Sequence, residues 1–305
     1  YLTKMSRIRF HGITALSKIA YVHISGIGWK DYNSNLTVQE NIENISKSKN
    51  YKFNLVIVYK PLELKKFNEV KIPKCIRYNE MYDEKWTLKE IKESSSELVI
   101  CHHYNDYIKY LKMNLPNIKF VYIGHGAEKT VFKDYGLEKK YDIMLGGCIS
   151  EHYPLRIRLY NIIRNLAQSS KYKIYFHRHP GYDLKDAYTD KYLIDFAKKI
   201  NESKLVLTCS SRYKYRLGKY IEIPMCNTVI VGDVPDDLYN FIIRIDETMN
   251  DKYIVGKINY YLENEDKRQE LIDKGKEYVK NHTQEDYAKK LLNEIETFLT
   301  EYKNI

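Results

Sequence analysis

Short, continuously apolar runs alternate along this chain with longer segments of helical periodicity, and this alternation restricts the fold more than any other feature. Runs such as FNLVIVYK (53–60) and KLVLTCSS (204–211) are apolar through their centres rather than at every second position. That pattern is typical of parallel strands that are covered on both faces. Because helical segments lie between such runs, the sequence predicts doubly wound α/β sheets.

The individual elements follow from the same pattern. The predicted strands cover residues 18–25, 53–60, 97–103, 118–124, 141–147, 172–179, 204–211, 227–233 and 241–246, and the predicted helices cover 36–48, 153–169 and 190–200. Thr283 and Asp286, three residues apart, predict the N-terminal cap of a final helix. The apolar residues of that helix, from Ala288 to Leu299, fall on one face.

The alternation breaks once, in the polar segment that follows the predicted strand 118–124. A chain of 305 residues with 44% apolar content suffices for two domains. We therefore expect an α/β protein with two Rossmann-like domains that face a cleft. Residues 1–134 form the N-terminal domain, 139–283 the C-terminal domain, and the helix 284–305 crosses back to the first domain. Ligands are expected beyond the carboxyl ends of the strands.

Composition narrows the choice of partners and compartment. The net charge of +10 suits an anionic partner, although cations spread along the chain also fit a solvated surface. The five cysteines form no Cys-x-x-Cys pair, so we expect reduced thiols in a cytoplasmic protein. The high content of tyrosine, lysine and asparagine indicates that the gene is rich in A and T. If the gene is viral, the expected compartment is the cytoplasm of the host. No apolar run is long enough to span a membrane.

Two polar segments in the first half follow predicted strands. In SGIGWKDY (25–32), Gly26 and Gly28 allow the backbone to approach a ligand closely, although a simple turn is the alternative. In ICHHYND (100–106), His102 and His103 stand where a strand ends. A histidine there is a candidate to bind a substrate hydroxyl or to act as a base, unless the pair is structural.

A third segment, YFHRHPGYD (175–183), places His177, Arg178 and His179 at the end of another strand. These side chains are candidates to contact a phosphate. A further ligand with matching spacing is missing from the sequence, so no metal site is predicted.

The fourth segment begins at Ser210 and continues into the predicted strand 227–233. Its candidates for nucleotide binding are Ser210, Arg212, Lys214, Arg216, Lys219 and Glu222. The cations suit a diphosphate group, and Glu222 suits the hydroxyls of a ribose. A surface loop with a helix-capping glutamate is the alternative.

Three stretches together resemble a known family. KYIEIPMCNTVIVGDVPDD (219–237) resembles the C-terminal signature of two-domain (GT-B) glycosyltransferases, in particular the spore-maturation CgeB-like group. IGHGAEKTVF (123–132) resembles the segment that leads into the second domain of such enzymes, and YDIMLGGCISEHYPLRIRLYNII (141–163) resembles the first strand and helix of that domain.

The resemblance implies a role for several residues. Glu222 would bind the donor ribose, Lys219 and the loop 212–216 would lie near the diphosphate, and Gly26 and Gly28 would border the donor and the acceptor. The candidate catalytic residues are His102, His103 and His125. Two positions depart from the family pattern: Lys214 stands where many relatives have a second glutamate, and Asn227 replaces the usual glycine.

The leading hypothesis is therefore a metal-independent glycosyltransferase without a bound cofactor. Its donor would be a nucleoside diphosphate sugar of the UDP or GDP type, and its acceptor a glycan, a protein or a small molecule. A nucleotide-sugar epimerase of the same fold is one alternative. A basic nucleic-acid-binding module is another, although the cations do not form a single basic stripe, so nucleic acid is a less favoured partner.

Overall fold

The structure is a computed structural model, and it describes residues 7–168, 171–177, 190–235 and 240–303. The chain divides into two compact units at Gly124 and His125. The first unit contains Ile13–Gly124 and also the chain from Tyr287 onward, whereas the second contains His125–Asp286 and residues 7–12. The first helix and the last helix therefore each begin in the second unit and continue in the first.

The first unit contains a parallel sheet with the strand order β1-β2-β3-β4. Its strands are β1 (Val56–Val58), β2 (Lys74–Tyr78), β3 (Leu98–Cys101) and β4 (Lys119–Tyr122). The helices up to this point are α1 (Arg7–Ser17), α2 (Val38–Lys49), α3 (Glu84–Ser94) and α4 (Tyr104–Lys112), with short 3₁₀ helices at Pro61–Glu63 and Phe67–Glu69.

The second unit contains a parallel sheet with the strand order β6-β5-β7-β8-β9. Its strands are β5 (Tyr141–Gly146), β6 (Ile174–His177), β7 (Ser203–Leu207), β8 (Val229–Gly232) and β9 (Ile242–Arg244). The helices that follow are α5 (Pro154–Gln168), α6 (Lys191–Asn201), α7 (Lys219–Met225), α8 (Asp251–Glu263), α9 (Glu265–Val279) and α10 (Gln284–Tyr302).

The central strands are buried on both faces, as their continuous apolar character predicts. Along β3, Leu98 and Ile100 pack in one apolar cluster while Val99 packs in another. Along β7, Leu205 and Val206 are divided between two clusters in the same way. Each sheet thus has a core on either side, which is the layered arrangement of a doubly wound fold.

The capping box predicted for the last helix is present. The Asp286 carboxylate accepts a hydrogen bond from the backbone N–H of Thr283 at 3.0 Å, and the Thr283 hydroxyl accepts one from the Asp286 N–H at 3.1 Å. Further along α10, Ala288, Leu291 and Phe298 are buried in the cluster that covers one face of the first sheet.

Several sequence expectations need correction. Residues 18–25 form no strand, and α1, β2, α3, α4, α8 and α9 were not predicted. The first unit ends at Gly124 rather than at residue 134, because Val131 and Phe132 pack in the core of the second unit.

The cysteines and the helices agree with two simpler expectations. Cys75, Cys101, Cys209 and Cys226 are buried free thiols, and Cys148 is partly buried and also free. Within the described part of the chain, none of the helices combines the length and the apolar character that crossing a membrane requires.

Candidate active site

Polar and charged residues collect at the carboxyl edge of the second sheet. The strands β5, β6, β7 and β8 are parallel, so the residues that follow each of them lie along the same edge. Gly146 at the end of β5 is in register with His177 at the end of β6. Helix α7, which follows β7 along the chain, brings Lys219 and Glu222 to this edge.

Gly147, just beyond β5, is the point where two cations meet. Its φ of +109° lies in a region that side-chain-bearing residues rarely adopt. A Cβ atom at this position would lie 2.8 Å from Nη1 of Arg156 and 3.1 Å from Cε of Lys219. The absence of a side chain at Gly147 therefore lets Arg156 and Lys219 approach the same backbone segment.

Arg156 is held almost entirely inside the protein, with 1% of its surface exposed. Its Nη1 donates to the carbonyl oxygen of Cys148 at 2.8 Å, and its Nη2 donates to the carbonyl oxygen of Cys209 at 3.1 Å. The guanidinium also stacks on the ring of Tyr153, 4.2 Å from its centroid. Its partners are neutral, so its positive charge is not cancelled by any hydrogen-bonded carboxylate in the described residues.

Glu222 presents a buried carboxylate near these cations. Only 5% of the residue is exposed, and its side chain makes no hydrogen bond to any residue in the described ranges. Burial raises the pKa of Glu222, and the nearby Lys219 acts in the opposite direction. Buried carboxylates normally have hydrogen-bond donors, so a carboxylate in this state is suited to accept hydrogen bonds from a ligand.

Lys219 is partly buried beside Glu222. Its Nζ lies 5.4 Å from the centroid of the Phe196 ring, and the ammonium makes no hydrogen bond within the described part of the chain. Burial lowers the pKa of Lys219, whereas Glu222 raises it. The ammonium is thus a hydrogen-bond donor that a bound anion could use.

His177 closes the other side of this region. Its Nε2 is 3.0 Å from the hydroxyl of Tyr192, and its ring centroid is 4.8 Å from that of Phe196. Burial raises the pKa of Tyr192 to about 12, with a further contribution from Glu222. His177 and Lys219 thus both lie against Phe196.

Asp233, directly after β8, organises the loop that follows β7. Its carboxylate accepts hydrogen bonds from the backbone N–H of Ser210 at 2.7 Å, from the Ser210 hydroxyl, and from the Tyr220 hydroxyl at 2.9 Å. Lys214 Nζ lies 3.5 Å from Asp233 and 3.3 Å from Glu247. Asp233 thus fixes both the loop and the first turn of α7.

The cations of this loop have protein partners. Burial lowers the pKa of Lys214, but Asp233 and Glu247 raise it more, and the net shift is upward. Arg216 is buried and donates to the hydroxyl of Tyr278 at 2.7 Å. Arg212 is exposed and donates to the hydroxyl of Tyr213 at 3.0 Å. Of the predicted cations in the described residues, Lys219 is the one beside Glu222.

The remaining predicted residues include two histidines and two glycines of the first unit. His102 and His103 are buried at the end of β3, and Nδ1 of His102 is 2.7 Å from the carbonyl oxygen of Ile123. Gly26 and Gly28 lie in a turn region, with φ values of 156° and 92°. His125 begins the second unit and is partly buried. Arg178 and His179 lie outside the described residues.

Sequence reasoning did not identify Arg156, Asp233 or Tyr220 as site residues. All three stand in the stretches that carried the family resemblance, and Arg156 belongs to the segment Tyr-Pro-x-Arg. The sequence contained a signal for Asp233, because this charged residue directly follows an apolar run.

A family model matches part of the second half of the chain. Residues 160–293 match the model of a family described as glycosyl transferase-like. The resemblance stated from the sequence is confirmed over this segment, while the CgeB-like subgroup stays a prediction. No curated protein sequence matches the chain at a significant level.

Solved structures extend the likeness to most of the chain. HepE of Anabaena in complex with UDP-glucose has 9% sequence identity and a TM-score of 0.58, with 84% of this chain and 82% of that one covered. Sucrose-phosphate synthase of Thermosynechococcus elongatus has 12% identity and a TM-score of 0.56, with 86% and 79% covered. The UDP-forming α,α-trehalose-phosphate synthase of Burkholderia vietnamiensis has 8% identity and a TM-score of 0.58, with 85% and 77% covered.

At these identities the likeness establishes the fold. The two parallel α/β sheets are those of GT-B glycosyltransferases, and the predicted fold class is confirmed. The comparisons support neither the epimerase nor the nucleic-acid-binding alternative.

Proposed function

We propose that this protein is a glycosyltransferase whose donor is a uridine diphosphate sugar. The observation that carries the proposal is the Glu222 carboxylate, which is 5% exposed and accepts no hydrogen bond from the described residues. The two vicinal hydroxyls of a ribose are suitable donors to such a carboxylate. The choice of uridine rests on the similar structures, of which HepE is in complex with UDP-glucose.

The diphosphate would lie on the Gly147 side of Glu222. Lys219 would donate to a phosphate oxygen, and Arg156 would supply positive potential while its nitrogens hold the carbonyl oxygens of Cys148 and Cys209. This assignment replaces Arg212, Arg216 and Lys214 as the principal diphosphate ligands, because each of those cations has a partner in the protein. We also propose that these cations serve in place of a metal ion.

The reaction follows from the chemistry of the donor. A bond forms between the acceptor oxygen and the anomeric carbon, while the bond from that carbon to the diphosphate oxygen breaks. UDP leaves with the electron pair of the broken bond, and the proton of the acceptor hydroxyl passes to the leaving diphosphate or to solvent. Positive charge at Lys219 and Arg156 favours this step because negative charge grows on the leaving oxygen.

Calorimetric titration with UDP tests the proposal. We expect the Glu222→Ala variant to bind UDP at least about ten-fold more weakly, since hydrogen bonds to a charged group contribute about 1.5–3 kcal/mol. Glu263→Ala, a change at an exposed carboxylate on α8, is the matched control and should bind as the unmodified protein does. Equal UDP affinity in the Glu222→Ala variant would contradict the role of Glu222 in donor binding. If UDP-sugars release UDP in the presence of the protein and EDTA abolishes that release, the proposal that cations replace a metal ion is wrong.

A further inference from the structure

An exposed aromatic group lies in the first unit, far along the chain from the donor residues. Tyr21 and Tyr51 are 52% and 41% exposed. Their ring centroids are 4.3 Å apart, and the Phe53 ring lies 5.6 Å from that of Tyr51 and 6.2 Å from that of Tyr21. We call these three side chains the aromatic patch. Clustered apolar surface of this kind marks interaction sites more often than isolated exposed residues do.

A polar group borders the aromatic patch. The His23 ring is 5.9 Å from that of Phe53, and its Nε2 is 2.5 Å from Oδ2 of Asp31. The Ser25 hydroxyl donates to Oδ1 of the same carboxylate at 3.0 Å. An ionised carboxylate can accept about four hydrogen bonds, so Asp31 keeps capacity for hydroxyl donors from a ligand. Burial raises the pKa of Asp31, but the hydrogen bonds from His23 and Ser25 outweigh it and lower that pKa.

Burial separates the aromatic patch from the core of the first sheet. Residues 21–26 form neither helix nor strand. Ala20 and Val22 pack on the apolar cluster of the first sheet, whereas Tyr21 between them is 52% exposed. The core accounts for Ala20 and Val22 but not for the aromatic patch.

We infer that the aromatic patch and Asp31 form a binding site for the pyranose ring of a neutral carbohydrate. One face of a pyranose carries C–H groups that pack on an aromatic ring, and its rim carries hydroxyls that donate to a carboxylate. The Asp31 charge disfavours an anionic ligand, which excludes phosphates and uronates as the occupant. The identification of this carbohydrate as the acceptor rests on the proposed transferase function, whereas the binding site itself does not.

Saturation-transfer NMR measures the binding directly, without a donor. The probes are methyl glucoside, methyl galactoside, N-acetylglucosamine and, as the anionic comparison, glucuronic acid. We expect transfer to at least one neutral probe and weaker transfer to glucuronic acid. Tyr21→Ala and Tyr51→Ala should abolish the signal, and Asp31→Asn should weaken binding about ten-fold. Tyr253→Ala, which removes a tyrosine that is 54% exposed on α8, is the control and should leave the signal unchanged.

Two results would overturn the inference: no transfer to any neutral probe, or transfer that persists in all three variants of the site. A parallel UDP titration separates this inference from the proposed function. If UDP binds and the saccharides do not, the acceptor site is wrong and the donor site stands. If saccharides bind and UDP does not, the carbohydrate site stands and the transferase proposal fails.

Discussion

The carboxyl edges of the two sheets differ in how their polar groups are satisfied. In the first unit, Nδ1 of His102 meets the carbonyl oxygen of Ile123 at 2.7 Å, and the Asp106 carboxylate accepts from the backbone of Met81 at 2.9 Å. In the second unit, Glu222 and Lys219 make no such bonds within the described residues, although Glu222 is buried. The same parallel topology thus leads to a buried carboxylate with a backbone donor at one edge and to a buried carboxylate without a donor in the described residues at the other, which we call the open edge.

This difference indicates which of the two edges is expected to bind a ligand. A buried polar group that has a protein partner adds to stability, whereas one without a partner costs free energy unless something else binds it. The Asp106 carboxylate therefore needs no ligand to satisfy it, whereas the Glu222 carboxylate is suited to one. The predictions below, ordered by expected effect, either sharpen or break this contrast.

The largest effect is expected from Arg156→Met. Arg156 is 1% exposed and donates to the carbonyl oxygens of Cys148 and Cys209, so its loss leaves both without a donor. We expect the free energy of unfolding to fall by about 3 kcal/mol, measured by urea denaturation. Arg164→Met, an exposed change on the same helix, is the control and should stay within about 0.5 kcal/mol. Equal effects of the two changes would show that Arg156 does not hold the edge together.

The next effect is expected at Gly147. Gly147→Ala combines an unfavourable φ of +109° with a Cβ placed 2.8 Å from Arg156, and we expect a loss of about 2–3 kcal/mol together with weaker UDP binding. Gly136→Ala is the matched control, because its φ is +65° and no atom lies within 4 Å of the added Cβ. It should cost about 1 kcal/mol and leave UDP binding unchanged. If both variants bind UDP equally well, the space at Gly147 is not part of the donor site.

A pair of glutamine substitutions compares the two edges directly. Glu222→Gln removes the charge at the open edge and should reduce UDP affinity about ten-fold, with little loss of stability. His102→Gln should lower the unfolding free energy by about 1 kcal/mol and leave UDP affinity unchanged. Calorimetry measures the UDP affinity of both variants, and thermal denaturation measures their stability. The contrast between the edges fails if His102→Gln impairs UDP binding as much as Glu222→Gln does.

The smallest effect concerns pH. Burial raises the pKa of Glu222 in the folded state, so its stabilising contribution is complete below the unfolded value, about 4.3 for glutamate. That contribution is lost as the pH rises through the folded pKa. We therefore expect the stability of the unmodified protein, relative to Glu222→Gln, to decrease between pH 4.5 and pH 8 in urea denaturation. A difference that stays constant over this range would contradict the buried, ligand-free carboxylate.

Individual strands show how much of the fold the sequence predicts. The apolar centres of β3 and β7 predicted strands buried on both faces, and the structure has them. β2 was not predicted because its sequence, Lys-Cys-Ile-Arg-Tyr, contains two cations. Those cations are accommodated by remote partners: Lys74 pairs with Glu97 at 3.0 Å, and Arg77 donates to Tyr287 at 2.7 Å. No local pattern indicates such partners.

The sequence by itself determined features whose causes are local. The alternation of apolar runs and helical segments determines the α/β class, and Thr283 with Asp286 determines the start of α10, since these interactions join residues a few positions apart. Only the tertiary structure decided that Arg156, Lys219 and Gly147 meet, and that Asp233 secures Ser210 and Tyr220. These contacts join the ends of different strands, and which strand ends are neighbours depends on the strand order β6-β5-β7-β8-β9, which chain order does not reveal.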